Sequence, residues 1–258
     1  MGWFEAAIER ALEPAMVVGA RVSMLMVFAP FFGSLAVPRR VKVGLTIALT
    51  ALLIPAYSPR VILSEVTQWP GVILGEALVG LMLGLAVHFV FDGVQLAGQV
   101  LGFQMGFSLA NVVDPETEID TPVIAIFHQA VALLIFLQID AHHLMLRALG
   151  KSLDYLPPGT VLATPGTLEG MTRAAGGLLL VAVQLAAPVL IATLMADVAL
   201  GFLGKASPQL PVLFVGLSVK NVIGFGVMMG AVVFWPGLLG RMFANAASTA
   251  ERLLHLAR

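Results

Sequence analysis

The chain has no cysteine and very little charge. Without cysteine there are no disulfides, iron–sulfur clusters or thiolate zinc sites. Asp, Glu, Lys and Arg make up 11% of its 258 residues, 14 basic and 15 acidic, against about 25% in ordinary soluble domains. So few charges cannot give a 27.2 kDa globule a solvated skin. Intrinsic disorder is excluded as well, because it needs low hydrophobicity and high charge. The net charge of -1 carries no basic patch of the kind nucleic acid would require. Gly-x-Ser-x-Gly elbows, His-Glu-x-x-His zinc motifs and Walker loops do not occur. What remains is 59% apolar residues and a mean hydropathy of +0.97, a surplus that must face lipid or other subunits.

The first fourteen residues do not read as a secretory signal, since Glu5, Glu9, Arg10 and Glu13 interrupt them. They are expected to form a short amphipathic helix that leads into the first apolar segment. Uncharged windows follow at 22–38, 43–59, 77–91, 93–113, 121–139, 174–196, 198–204 and 221–240. A bilayer core of about 30 Å needs roughly 20 apolar residues in a helix. The pattern predicts six or seven long hydrophobic helices in an all-α, polytopic membrane-type protein. Period-two alternation, which a membrane barrel needs, is absent. The stretch 154–172, with Pro157, Pro158, Gly159, Pro165 and Gly166, is the most linker-like. It divides an N-terminal part of about two thirds from a C-terminal helical pair. Basic residues fall on both sides under simple alternation, so the positive-inside rule gives no clear orientation.

Glycine recurs every four positions at Gly71 and Gly75, Gly80 and Gly84, then Gly98, Gly102 and Gly106. Such spacing puts each set on one helical face, where a second backbone can approach closely. Gly75, Gly80, Gly84, Gly98 and Gly102 are the candidate close-packing positions, within the chain or against partners. Gln95, Gln99 and Gln104 share an uncharged segment with Gly98, Gly102 and Gly106 and need polar partners, either across helices or lining a conduit. Arg21, Glu76, Asp197 and Lys220 interrupt apolar stretches, where charges are costly and usually paired. Asp197 and Lys220 close consecutive segments and are expected to pair, with a proton or ion relay and contacts to other subunits as the alternatives.

The run Asp114-Pro115-Glu116-Thr117-Glu118-Ile119-Asp120 lacks the spacing and turn glycine of an EF-hand loop. His88, His128, His142 and His143 contain one His-His pair, without the several boxes of a membrane di-iron site. No metal, cofactor or catalytic residue is expected. From the residues alone, a channel or transporter part and a scaffold remain equally open.

The ordered features do resemble a known family. Arg21, Pro30, Val37-Pro38 and Lys42 are followed by Gly75-Glu76, Gly80 and Gly84. Then come Gly98-Gln99, Gln104-Met105-Gly106-Phe107, Asp114-Pro115, His142-His143, Ser152 and Pro157. Asp197, Leu200-Gly201, Pro208-Gln209-Leu210, Gly216 and Lys220 complete the series. Together they resemble the FliR family, subunits of the flagellar type III export gate. The chain departs from that pattern at Pro211, which stands in an Asn position, at Leu213 in a Phe position, and at Ser218.

The resemblance implies a non-enzymatic gate subunit in the bacterial inner membrane, within the flagellar basal body. It implies FliP-like and FliQ-like partners, an FlhB-like switch subunit, rod and other export substrates, and contact with lipid. Residues 1–160 would be FliP-like, and 161–258 a FliQ-like hairpin. Bent hairpins would assemble with the partners into a helical gate around a conduit for unfolded chains. The loop 106–122 would plug that conduit, with Gly106 allowing the turn. Phe107, Leu109 and Val112 would fill the passage, Asp114 and Glu116 would be hydrated when the gate opens, and Pro115 belongs to the same gate loop. A small-solute secondary transporter is the alternative, but no internal repeat supports it.

Overall fold

A computed structural model describes residues 2–33, 37–57, 69–107, 121–158, 165–207 and 212–256. Among these residues there are eight α-helices and no strand. They are α1 (Gly2–Phe28), α2 (Arg39–Tyr57), α3 (Trp69–Gln104), α4 (Val123–Gln138), α5 (Ala141–Tyr155), α6 (Pro165–Ala206), α7 (Val212–Val232) and α8 (Trp235–Leu256).

The apolar windows do not map one-to-one onto helices. Asp92 and Asp197 bounded windows in the sequence, yet each lies inside a continuous helix, α3 of 36 residues and α6 of 42. A single aspartate costs at most about 0.7 kcal/mol of helix propensity and does not end a helix. Among the described residues, three helical stretches are long and apolar enough to cross a bilayer: Trp69–Gln104, Leu168–Ala206 and Val215–Val232. A fourth appears if the broken pair Val123–Gln138 and Ala141–Tyr155 counts as one span. That is fewer than the six or seven expected. Two pairs of windows merged. In addition, α1 carries Glu5, Glu9, Arg10, Glu13 and Arg21, and α2 opens on Arg39, Arg40 and Lys42.

The N-terminal amphipathic segment is not a separate helix either, since α1 runs through Pro14 to Phe28. The linker-like stretch is partly helical, because α6 begins at Pro165. Proline suits a first helical turn, where its missing N–H has no partner to lose. After Pro165 the chain forms three helices, α6 to α8, the last of them amphipathic.

Two compact units divide the chain. One gathers the described residues of Met1–Phe89, Asp140–Gly176 and Phe243–Arg258. Its core contains Val18, Val22 and Leu25 from α1, Val79, Met82 and Leu83 from α3, and Leu149 and Leu153 from α5, all buried at helical spacing. The other gathers those of Val90–Ile139 and Gly177–Met242. Val94, Ala97 and Leu101 of α3, and Met105 just past its end, are buried there with Ala125, Ala132 and Phe136 of α4. Phe136 meets Phe91 edge-on at 5.5 Å between ring centroids.

Enclosure by the chain's own atoms differs among the apolar helices. It reaches 44% for the apolar stretch of α3 but only 17% for that of α7. Leu194, Met195 and Phe202 of α6, with Val222 and Met229 of α7, are exposed. Faces of this kind belong against lipid or another subunit.

Candidate functional site

Polar groups gather at two places. In the first unit, Arg21 and Glu76 are fully buried, and Arg21 Nε donates to Glu76 Oε2 at 2.6 Å. Arg21 Nη1 donates to Ser152 Oγ at 3.1 Å, and Nη2 to the Leu156 carbonyl at 3.0 Å. Ser152 Oγ donates in turn to the Leu149 carbonyl at 2.6 Å. One guanidinium thus ties α1 to α3 and to the end of α5. A buried charge is tolerated only when it is paired and its remaining donors are satisfied. Sequence reading marked Arg21 and Glu76 as costly charges. The part played by Ser152 and by a backbone carbonyl has no sequence signal, because both depend on tertiary placement.

In the second unit, polar groups surround the point where α3 ends and the segment 106–122 begins. Gly106 has φ 84°, in the left-handed region that favours glycine. Its N–H donates to the Phe103 carbonyl at 3.1 Å, and the Phe107 N–H donates to the Gly102 carbonyl at 2.9 Å. These two bonds make a Schellman cap, which stops α3 and satisfies its last carbonyls. Phe107 then lies edge-on to Phe225 of α7, 5.8 Å between ring centroids.

The far end of the segment returns against the same helix. A Cβ added at Gly102 would come within 2.6 Å of Pro122 Cβ, and one at Gly98 would overlap the Ala125 backbone. The glycine face of α3 therefore admits the start of α4 and brings the two ends of 106–122 together. Of the expected plug residues, Gly106 and Phe107 are placed. Leu109, Val112, Asp114, Pro115 and Glu116 lie outside the described residues, as does Pro211.

Beside this loop base, Gln104 Nε2 donates to Asp197 Oδ2 at 2.9 Å. Lys220 Nζ donates to the same oxygen at 2.9 Å. The three residues link α3, α6 and α7 at the capped end of α3. The Asp197–Lys220 pair follows the sequence expectation, and Gln104 joins it unforeseen. Gln129 Nε2 donates to Gln95 Oε1 at 2.9 Å, so this amide is satisfied across α3 and α4. Gln99 is half-buried.

The remaining glycines divide. Gly80 and Gly84 in the first unit press on α1, against the Arg21 carbonyl and Phe28 Cβ. Gly75 is half-buried on the same helix. Gly71, Gly176, Gly177, Gly201, Gly226 and Gly230 face open space. Gly80, Gly84, Gly98 and Gly102 of α3 are thus used within the chain, whereas Gly176, Gly177 and Gly201 of α6 and Gly226 and Gly230 of α7 are not.

Residues 12–246 match the family described as bacterial export proteins, family 1. The chain is 31% identical to the flagellar biosynthetic protein FliR of Bacillus subtilis (strain 168) over 249 residues, covering 95% of this chain and 96% of that protein. It is 31% identical to FliR of Escherichia coli (strain K12) over 210 residues, 81% of this chain and 80% of the relative. The secretion system apparatus protein SsaT of Salmonella typhimurium is 24% identical over 197 residues, 75% of each chain.

Proposed function

The chain belongs to the FliR family of bacterial export proteins, and from that premise we propose that it is a non-enzymatic subunit of the flagellar type III export gate. The observation that carries the reading is likeness along nearly the whole length, 95% of this chain and 96% of the Bacillus subtilis relative. Three or four apolar spans fit a membrane-embedded component of an export apparatus. The same full-length likeness leaves the small-solute transporter alternative without support.

The finer reading is an inner-membrane position in the flagellar basal body. There the chain assembles with FliP-like, FliQ-like and FlhB-like subunits around a conduit for unfolded export substrates. Residues 1–160 take the FliP-like part and 161–258 the FliQ-like part. The exposed apolar faces of α6 and α7 supply surface for such neighbours. Segment 106–122 acts as the plug. Two features support that role: the Schellman cap at Gly106 and the seating of Pro122 on Gly102. Together they hold both ends of the segment at one end of α3. Gln95 and Gln104 serve as interhelical polar ties, to Gln129 and Asp197, Gln99 gives the conduit side of α3 its polarity, and Arg21, Glu76, Asp197 and Lys220 fix the packing of the subunit.

Replacing residues 108–120 with a short Gly-Ser linker in the assembled gate tests the plug. Cells carrying it are expected to leak small ions and dyes while the chain still accumulates. Normal permeability together with normal secretion would remove the plug assignment and leave the family membership standing.

A further inference from the structure

Asp140, His142 and His143 bring three metal-type ligand atoms together where α4 ends and α5 begins. His143 Nδ1 lies 3.2 Å from Asp140 Oδ1, and His142 Nε2 lies 3.9 Å from the same oxygen. All three ligand atoms fall within 4.8 Å of one another. Tetrahedral bonds of about 2.0–2.1 Å put neighbouring ligand atoms roughly 3.3–3.4 Å apart, so only small side-chain rotations separate this arrangement from a coordinating one. The two imidazoles already face the same oxygen, with ring centroids 4.1 Å apart.

The carboxylate is also held away from its ordinary task. Asp140 occupies the N-cap position of α5, where an aspartate side chain normally accepts from the backbone N–H two or three residues on. Here it makes no side-chain cap bond, and its backbone is left-handed, with φ 55°. Its backbone carbonyl accepts from the His143 N–H at 3.0 Å instead, which leaves the side chain to the imidazoles. Access is open, since the side chains of Asp140 and His143 are 71% and 60% exposed. His142 is partly covered, at 25% exposure.

We propose that Asp140, His142 and His143 bind a borderline divalent cation of the zinc type, with two imidazole nitrogens, one carboxylate oxygen and water in the remaining position. Imidazole with carboxylate suits zinc, copper(II), nickel(II) and cobalt(II), and is a poor set for magnesium or calcium. All three ligands come from one four-residue stretch. The cation would therefore hold Asp140 in its left-handed conformation and fix the first turn of α5. It is a structural clip with no part in chemistry. This inference does not depend on the export role.

The test is cobalt(II) titrated into the full-length chain in detergent, purified without a polyhistidine tag. The expected result is a visible absorption band that saturates at one cobalt per chain. Zinc should abolish it, and a large excess of magnesium should leave it unchanged. His143→Ala and Asp140→Asn should each weaken binding by at least the ~10- to 100-fold that loss of an outer-shell partner costs. Both positions are exposed, so the variants should elute as the parent does on size exclusion. A band that is equally strong in a His142→Ala/His143→Ala chain, or no saturable band in the parent, would overturn the proposal.

Discussion

Glu76→Ala is expected to destabilise the first unit by about 3–5 kcal/mol, the usual consequence of leaving one member of a buried ion pair without the other. That is a large share of the roughly 5–15 kcal/mol that holds a domain folded, so the variant should fail to accumulate in membranes. The geometry explains why. Arg21 has no exposed surface, and of its three donor contacts only Glu76 carries charge. With the carboxylate gone, the guanidinium keeps a hydroxyl and a carbonyl but loses its counter-charge in an apolar core. Arg21→Met/Glu76→Leu removes both charges and fills the volume. It should recover most of the lost stability, because a well-packed apolar pair can match or exceed a buried ion pair. Denaturant unfolding in detergent, read with a double-mutant cycle, separates the two cases. An Arg21→Met/Glu76→Leu chain no more stable than Glu76→Ala would show that the pair itself is needed.

The second large effect belongs to the glycine face of α3. Gly98→Ala and Gly80→Ala should each prevent stable packing of the isolated chain, at a cost of about 1–3 kcal/mol or more. An added methyl at Gly98 meets the Ala125 backbone, and one at Gly80 meets the Arg21 carbonyl. Backbone atoms cannot swing aside as a side-chain tip can, so the helices must separate along their whole contact. Gly226→Ala provides the opposite sign. Nothing lies within 4 Å of its added methyl, and replacing a helical glycine with alanine gains about 0.8–1 kcal/mol of helix propensity. Thermal unfolding of the purified chain should therefore rank Gly226→Ala above the parent and Gly98→Ala well below it. Equal behaviour of the two substitutions would contradict the packing described.

The fold class and the costly positions were legible because they follow from local rules. Low charge and long apolar windows require helices in an apolar setting, and glycines four apart must share a helical face. Helix boundaries were less legible, for a physical reason. Asp92 and Asp197 look like segment ends in a hydropathy reading, but a backbone stops being helical only when its hydrogen bonding is redirected. Gly106 does this with a Schellman cap, and Asp140 with a left-handed φ. The partners of buried groups were least legible. Ser152 reaches Arg21 across 131 residues of sequence, and Gln104 reaches Asp197 across 93. No local pattern encodes such distances. The His142–His143 pair carried no metal signal of its own, because Asp140 joins it only through the turn that seats all three together.

Low charge was the first fact about this chain, and it required apolar neighbours. Membership of an export-apparatus family and the exposed faces of α6 and α7 favour other subunits as a large part of those neighbours. The most direct test is purification of the tagged chain from its own cells in mild detergent, followed by mass spectrometry of what accompanies it. The expected result is a discrete complex that contains helical export-gate subunits of the FliP and FliQ kinds in fixed ratio. A stable, monodisperse chain with no partner, from cells that still assemble flagella, would contradict it.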